Sequence, residues 1–306
     1  MMKKIAYVFP GQGSQFVGMG ADLVRDFEEA KNVFAEVDEA LHQNLSKLIF
    51  SGDLGELTQT QNAQPAIMAV SMAVWQVLKA NGVHMPDIVA GHSLGEYSAL
   101  CAAGVLSLPD TAKVLQARGR AMAKACEKEK GGMLALLGAT EEQAREIAQN
   151  TGCFVANDNA PGQVVLSGTL SSLEKAKELA TQMTIKRAIS LSVAGAFHSP
   201  LMESAADEMA PILHSTTFAQ PKIHVFFNVT ADEDVTPDNY ADLLTQQIVS
   251  SVRWRELVLN TKATHFMECG PGTVLSGLIR RISSEVDVAA IGSSSQIKEF
   301  LNNQES

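Results

Sequence analysis

The chain has no apolar run long enough to span a membrane. Its longest, Ala66–Trp75, is interrupted by Ser71 and followed by Gln76, whereas a spanning helix needs about 20 predominantly apolar residues. Met1-Met2-Lys3-Lys4 carries the charge of a secretion signal, but only Ile5–Phe9 is apolar before Pro10-Gly11-Gln12. That stretch is too short for a signal core. The four cysteines, Cys101, Cys126, Cys153 and Cys269, show no Cys-x-x-Cys spacing, so a reducing, cytoplasmic setting without a structural metal is expected. There is no basic run, internal repeat or low-complexity segment, and the net charge is −10. Nucleic acid is therefore excluded as a bulk partner. An anionic substrate would meet long-range repulsion, and its capture would need cations inside a pocket.

What is present suits a soluble globular protein: 306 residues, 46% hydrophobic and 19% charged, enough for one large α/β domain or a domain with an insert. Lys4–Phe9 reads as a first strand ending in a Gly-rich loop. Helical periodicity follows over Ala21–Leu41 and Gln64–Leu78, and another helix starts at Pro109-Asp110 and runs to about Lys124. Glu127–Gly132, a charge cluster closed by two glycines, reads as a linker. Beyond it the rhythm is β-α-β-β-α-β: Met133–Leu137, a helix opened by Thr140, Cys153–Ala156, Gln163–Ser167, Ser171–Met183 and Ile185–Leu191. This is the ferredoxin-like order. The chain then returns through helix Leu201–Leu213, strand Ile223–Val229, helix Tyr240–Ser250 and strand Thr264–Glu268, and closes with helix Val274–Ile282. The body is thus a mostly parallel α/β sheet interrupted by a small α+β module. A ligand is expected in the cleft between the two.

Gly91-His92-Ser93-Leu94-Gly95 is the decisive motif. It is entered from the apolar run Asp87–Ala90 and left through the helical stretch Glu96–Ala103. A strand turning sharply into a helix at a serine forms a nucleophile elbow, which exposes Oγ above the sheet. Free N–H groups and the helix dipole there favour developing negative charge.

Of seven histidines, His198 best suits the base. It sits in Gly195-Ala196-Phe197-His198-Ser199-Pro200, a loop before a helix, where a turn or N-cap histidine is the plainer reading. His92 adjoins Ser93 but points elsewhere. His42 and His84 read as structural or exposed, His214 as a helix end, and His224 and His265 as hydrogen-bonded core residues. Neither Asp158 nor Asp207 occupies a persuasive position for a triad acid, so a Ser–His dyad oriented by a carbonyl or amide is expected. Arg118 shares an apolar helical face with Val114, Leu115, Ala121 and Met122. It is either a structural ion pair, a snorkelling stem, or a pocket arginine gripping a carboxylate with two parallel hydrogen bonds. Pro10–Gln15 lacks the spacing of a nucleotide loop and suits an oxyanion hole shared with the N–H of Leu94.

Together these segments closely resemble the malonyl-CoA:acyl carrier protein transacylases of bacterial fatty-acid synthesis. The likeness rests on Phe9–Gln15, Gln61–Ala66, Gly91–Leu100, Gln116–Gly119, Asn159–Val165, Gly195–Pro200, Gln247, Val252-Arg253-Trp254 and Gly270-Pro271-Gly272. It implies an α/β-hydrolase-like catalytic domain over residues 1–127 and 196–306, with a ferredoxin-like insert over 128–195. It further implies Ser93 as the acylated nucleophile, His198 as its base, the N–H groups of Gln12 and Leu94 as oxyanion hole, and Arg118 as the malonyl clamp. Gln247 matches the glutamine that holds the histidine ring. Gln64, Met122, Asn157 and Asn159 fall along the substrate channel, and Phe197 resembles the bulky residue of relatives that reject methylmalonyl groups.

The implied reaction moves a malonyl group from malonyl-CoA to the phosphopantetheine thiol of acyl carrier protein, by ping-pong transfer through a malonyl-serine. No cofactor, metal, nucleic acid or membrane is expected, and a cytoplasmic monomer is. Carrier proteins of this pathway are acidic, so a local basic patch is required, with Lys186 and Arg187 as candidates. The rival readings are a serine esterase or thioesterase, a non-catalytic carrier-binding module, and an acyltransferase domain of a polyketide synthase. The short flanks favour a stand-alone enzyme over the last.

Overall fold

The computed structural model describes residues 3–234 and 236–304, so Met1 and Met2 of the signal-like start lie outside the described residues. Nine strands occur among the described residues, in chain order: β1 Ile5–Phe9, β2 Ile88–Gly91, β3 Gly131–Leu137, β4 Phe154–Ala160, β5 Gln163–Thr169, β6 Arg187–Ser190, β7 His224–Phe226, β8 His265–Cys269 and β9 Asp287–Ile291. Five form one sheet in the order β7-β2-β1-β8-β9, with every pairing parallel. β2 is buried at all four positions and β1 at four of five, the pattern of strands covered on both faces by helices. Trp75 anchors one face, meeting Tyr7 and Phe9 of β1 edge-on.

The other four strands pair antiparallel in the order β4-β5-β3-β6. With helix Glu141–Thr151 between β3 and β4 and helix Leu170–Gln182 between β5 and β6, this is the β-α-β-β-α-β arrangement of a ferredoxin-like module. Thr140 caps the first of these helices in a reciprocal capping box with Gln143. The module is fastened to the body along β4. Val252 N–H donates to Ala156 O at 2.8 Å and Asp158 N–H to Val252 O at 3.0 Å. Arg255 meets both Asp158 and Glu141.

Several local expectations are corrected. Ala21–Leu41 is two helices, because Phe27 is extended between Asp26 and Glu28 while Asp26 is tied to Ser294 and Lys298 of the C-terminal helix. Glu127–Gly132 is no linker: helix Leu108–Lys128 runs into it and β3 begins at Gly131, leaving Glu129 and Lys130 between the two. Gly131 is a close-packed strand residue, where an added Cβ would stand 2.7 Å from Gly168 O. That helix begins at Leu108 and is capped by Ser107, whose Oγ accepts from Asp110 N–H. The domain does not close at Ile282, since β9 and helix Ser294–Gln304 follow. β9 is an edge strand buried only at Ile291, too weak an alternation to register as a strand.

Candidate active site

The loops that follow β1 and β2 open into a cavity of about 260 Å³. Pro10–Gln15, His92, Ser93, Arg118, Met122, Phe197 and His198 line it, together with Met133, Ala135, Asn157, Asn159 and Val165 of the antiparallel sheet. Ligand sites of open parallel sheets occupy this position, beyond the carboxyl ends of the strands.

Ser93 sits at the sharpest point of the turn from β2 into helix Gly95–Ala102, with φ of 55°. A non-glycine residue in the left-handed region costs on the order of 1–3 kcal/mol and persists only where its surroundings enforce it. The flanking glycines make the turn possible. A Cβ at Gly91 would collide with the carbonyl of Gly95, and one at Gly95 with Phe9 O. Ser93 Oγ lies 2.8 Å from His198 Nε2.

His198 is also left-handed, at φ of 57°, and buried. Its loop is held by Ser167 Oγ, which donates to Phe197 O, and by Ser199 Oγ, which donates to Ala196 O. The helix that follows takes Ser199 at its cap position, so the N-cap reading of His198 falls. His198 Nδ1 stands 2.9 Å from the main-chain carbonyl of Gln247. Since a carbonyl only accepts, Nδ1 carries the proton and Nε2 presents its lone pair to Ser93. Burial, reinforced by the Arg118 charge, lowers the His198 pKa to about 3, so the ring is neutral at pH 7.

Gln247 orients the ring through its backbone, and its side chain serves two other groups. Its Oε1 accepts from Arg118 Nη2 at 2.8 Å and its Nε2 donates to Ser93 O at 3.0 Å. Arg118 is almost fully buried and has no carboxylate partner among the described residues. Its Nη1 donates to Gln64 Oε1 at 2.8 Å and its Nη2 to Ser93 Oγ at 3.2 Å. Its guanidinium carbon lies 5.5 Å from the centre of the Tyr97 ring. Burial lowers its pKa. The ion-pair and snorkelling readings therefore fall: this is a desolvated cation held by neutral partners. Gly119 makes the approach possible, since its missing Cβ would stand 2.5 Å from Gln61 Cα.

Gln64 Nε2 also reaches Met122 Sδ at 3.5 Å. His92 does not face Ser93; its Nε2 meets Asn159 Oδ1 at 2.8 Å and Asn157 Nδ2 at 3.4 Å, and its ring lies against Trp254. Gln12 lines the cavity, and Leu94 is the cap residue of the elbow helix, ahead of Gly95, Glu96 and Tyr97, whose N–H groups donate to the carbonyls of His92, Ser93 and Leu94. Asp158 is engaged by Arg255 and Asp207 is exposed. His224 and His265 are not core residues; both sit near the surface and pair with Glu233 and Asp287.

Two polar residues beside the elbow went unread in the sequence. Glu96 is fully buried, and burial raises its carboxyl to about pKa 8. Its place directly after Gly95 was the available signal. Asn228, also fully buried, lies just past β7 in a segment with no motif.

The acyl transferase domain family model matches residues 6–287. The malonyl CoA-acyl carrier protein transacylase of Bacillus subtilis is 43% identical over 298 residues, covering 95% of this chain and 94% of its own. An acyl-carrier-protein S-malonyltransferase from Bartonella henselae superposes with a TM-score of 0.94 at 42% identity, over 99% of this chain and all of its own. A malonyl-transacylase solved in complex with a type II polyketide synthase acyl-carrier protein superposes at 0.93 with 36% identity, over 98% of this chain and 99% of its own.

Proposed function

The chain belongs to the acyl transferase family, and from that premise we infer that it moves malonyl groups from malonyl-CoA to acyl carrier protein in fatty-acid synthesis. One observation carries the assignment to this cavity: Ser93 Oγ is shared by a neutral histidine nitrogen and a buried guanidinium. A base and a carboxylate-binding fork thus converge on one hydroxyl.

In the reaction we propose, the malonyl carboxylate displaces neutral partners of Arg118 and takes two parallel hydrogen bonds from its fork. Gln64 steadies the far side of the fork, and Met122 packs against Gln64. Ser93 Oγ attacks the thioester carbonyl while His198 Nε2 takes its proton. The N–H groups of Gln12 and Leu94 receive the developing oxyanion. Collapse expels the CoA thiolate, which takes the proton from His198, leaving malonyl-Ser93. The carrier's phosphopantetheine thiol then gives its proton to His198 and attacks the ester carbonyl; collapse breaks the bond to Ser93 Oγ, which takes that proton back from His198, and the malonyl thioester of the carrier leaves. Asn157 and Asn159, braced by His92, line the route of the thiol arm, and Phe197 leaves little room for a branch at the malonyl α-carbon.

We assign residues 1–127 and 196–306 to the catalytic body and 128–195 to the insert, a division supported by the confinement of β3–β6 to Gly131–Ser190. Lys186, just before β6, and Arg187, its first residue, are both exposed and are the candidate contacts for an acidic carrier. The four free cysteines suit a cytoplasmic protein, and it is taken to act as a monomer. The test is incubation with malonyl-CoA followed by intact-protein and peptide mass spectrometry. One malonyl group on Ser93 is expected; an adduct retained in Ser93→Ala places the nucleophile elsewhere.

A further inference from the structure

Ser93 holds a strained backbone, and its N–H and C=O are both gripped by side chains from other segments. Gln247 Nε2 donates to Ser93 O. On the other side, Asn228 Oδ1 accepts from Ser93 N–H at 2.8 Å, while Asn228 Nδ2 donates to Gly91 O at 2.7 Å. One amide therefore spans the turn, tying the last residue of β2 to the serine two positions on. Asn228 is itself fixed: its N–H donates to Glu96 Oε2 at 2.6 Å and its carbonyl accepts from Arg253 N–H at 3.2 Å. Glu96 belongs to the first turn of the helix leaving the elbow. The contacts thus run from Ser93 to Asn228 to Glu96 and back to the elbow. β7, the edge strand beside β2, supplies the brace through the residues that follow it.

We propose that Asn228 is a positioning residue that holds Ser93 in its left-handed conformation, and that Glu96 acts through Asn228 as a hydrogen-bond acceptor. The inference rests on Ser93 being the nucleophile. Several features support it. A left-handed serine relaxes toward φ below zero unless its flanking peptide groups are held. A shift of about 1 Å in a reacting atom costs on the order of 10²-fold in rate. Asn228 uses both side-chain polar atoms on the elbow and none on the cavity. Glu96 Oε2 accepts from Asn228 N–H at 2.6 Å, and burial raises its carboxyl to about pKa 8 against the opposing pull of Asn228, Arg118 and Gln247.

The test uses the full chain and a fluorophosphonate, which needs only an activated serine and neither malonyl-CoA nor carrier protein. Peptide mapping identifies the labelled residue, and labelling rates are compared for wild type, Asn228→Ala, Glu96→Ala and Glu96→Gln, with thermal melts run alongside. Asn228→Ala should label Ser93 about 100-fold more slowly, with kcat for malonyl transfer falling alike and KM for malonyl-CoA held within about threefold. Glu96→Gln, which keeps an amide oxygen as acceptor, should label at close to the wild-type rate, whereas Glu96→Ala should be slowed about tenfold. Labelling of folded Asn228→Ala within about twofold of wild type overturns the proposal. Should Asn228→Ala not fold, equal rates for the two Glu96 variants overturn it instead. A wild-type protein labelled at a residue other than Ser93 sinks the nucleophile assignment itself, a separate outcome.

Discussion

Ser93 and His198 face each other across 2.8 Å with both backbones in the left-handed region, at φ of 55° and 57°. Strain on both sides of one hydrogen bond indicates that the surrounding fold enforces this pair. The His198 ring is held by the Gln247 main-chain carbonyl, at the nitrogen an acid holds in a serine triad. Replacing His198 with Ala should lower the acylation rate by about 10²–10⁴-fold, measured as the rise of acyl-enzyme after rapid mixing with malonyl-CoA. An unchanged rate would place the base elsewhere.

The acid limb of the pH–rate profile should be displaced. His198 must be neutral to accept the serine proton, and its pKa in the free protein is lowered from 6.5 to about 3. Activity is lost only as pH falls through that lowered value, so kcat/KM, which reports the free enzyme, should stay level through pH 6. A half-loss near pH 6.5 would show an ordinary, hydrated histidine.

Arg118 is buried with neutral partners and, among the described residues, has no carboxylate at hydrogen-bond distance, which suits the proposed role as clamp for an anion. Arg118→Ala should cut malonyl transfer about 100-fold or more while sparing acetyl loading, because only the dicarboxylic acyl group uses the fork. Arg118→Lys should recover little, since an ammonium cannot make the paired contact. Steady-state kinetics with both acyl-CoA substrates decide this, and equal losses for the two would remove the clamp.

Glu96 and His198 push stability in opposite directions with pH. The Glu96 pKa is raised from 4.5 to about 8, so its contribution is full below pH 4.5 and is lost as pH rises through 8. The His198 pKa is lowered from 6.5 to about 3, so its contribution is full above pH 6.5 and is lost as pH falls through 3. Glu96→Gln should raise the thermal midpoint at pH 9 on the order of 5 °C, with a smaller effect at pH 5. A destabilised variant at pH 9 would mean the carboxylate has a cationic partner there.

Phe197 is buried against the cavity beside the base. Phe197→Ser should raise the use of methylmalonyl-CoA relative to malonyl-CoA about tenfold, within what a pocket gains from added room. Competition assays with both substrates read this ratio, and an unchanged ratio would move the selectivity to another wall.

Much of the catalytic geometry was legible because its residues lie in short local motifs. The elbow announces itself through Gly91 and Gly95, whose missing side chains are needed within five residues. Arg118 stood out as a charge on an apolar helical face, and His198 by its loop between the insert and the body, just before a helix. Asn228 left no such trace, because its role comes from the parallel pairing of β7 with β2, a contact across 135 residues. The division of labour within Gln247 was hidden for the same reason: no pattern distinguishes a ring held by an amide from one held by a backbone carbonyl. In the fold, strong apolar runs marked β1 and β2, whereas β9 escaped notice because an edge strand buries little. Gly131 and Gly132 read as breakers because close backbone packing and a turn demand the same residue.

Mass spectrometry of the acyl-enzyme tests the central claim most directly. Wild type, Ser93→Ala and Arg118→Ala are each mixed with malonyl-CoA and with acetyl-CoA, then digested and mapped. Wild type should carry one malonyl group on the peptide containing Ser93 and pass it to the thiol of added acyl carrier protein. Ser93→Ala should carry none, and Arg118→Ala should retain acetyl but little malonyl. A malonyl adduct on Ser93→Ala, or an acyl group released to water faster than to the carrier thiol, would mean that Ser93 is not where malonyl waits between two thiols.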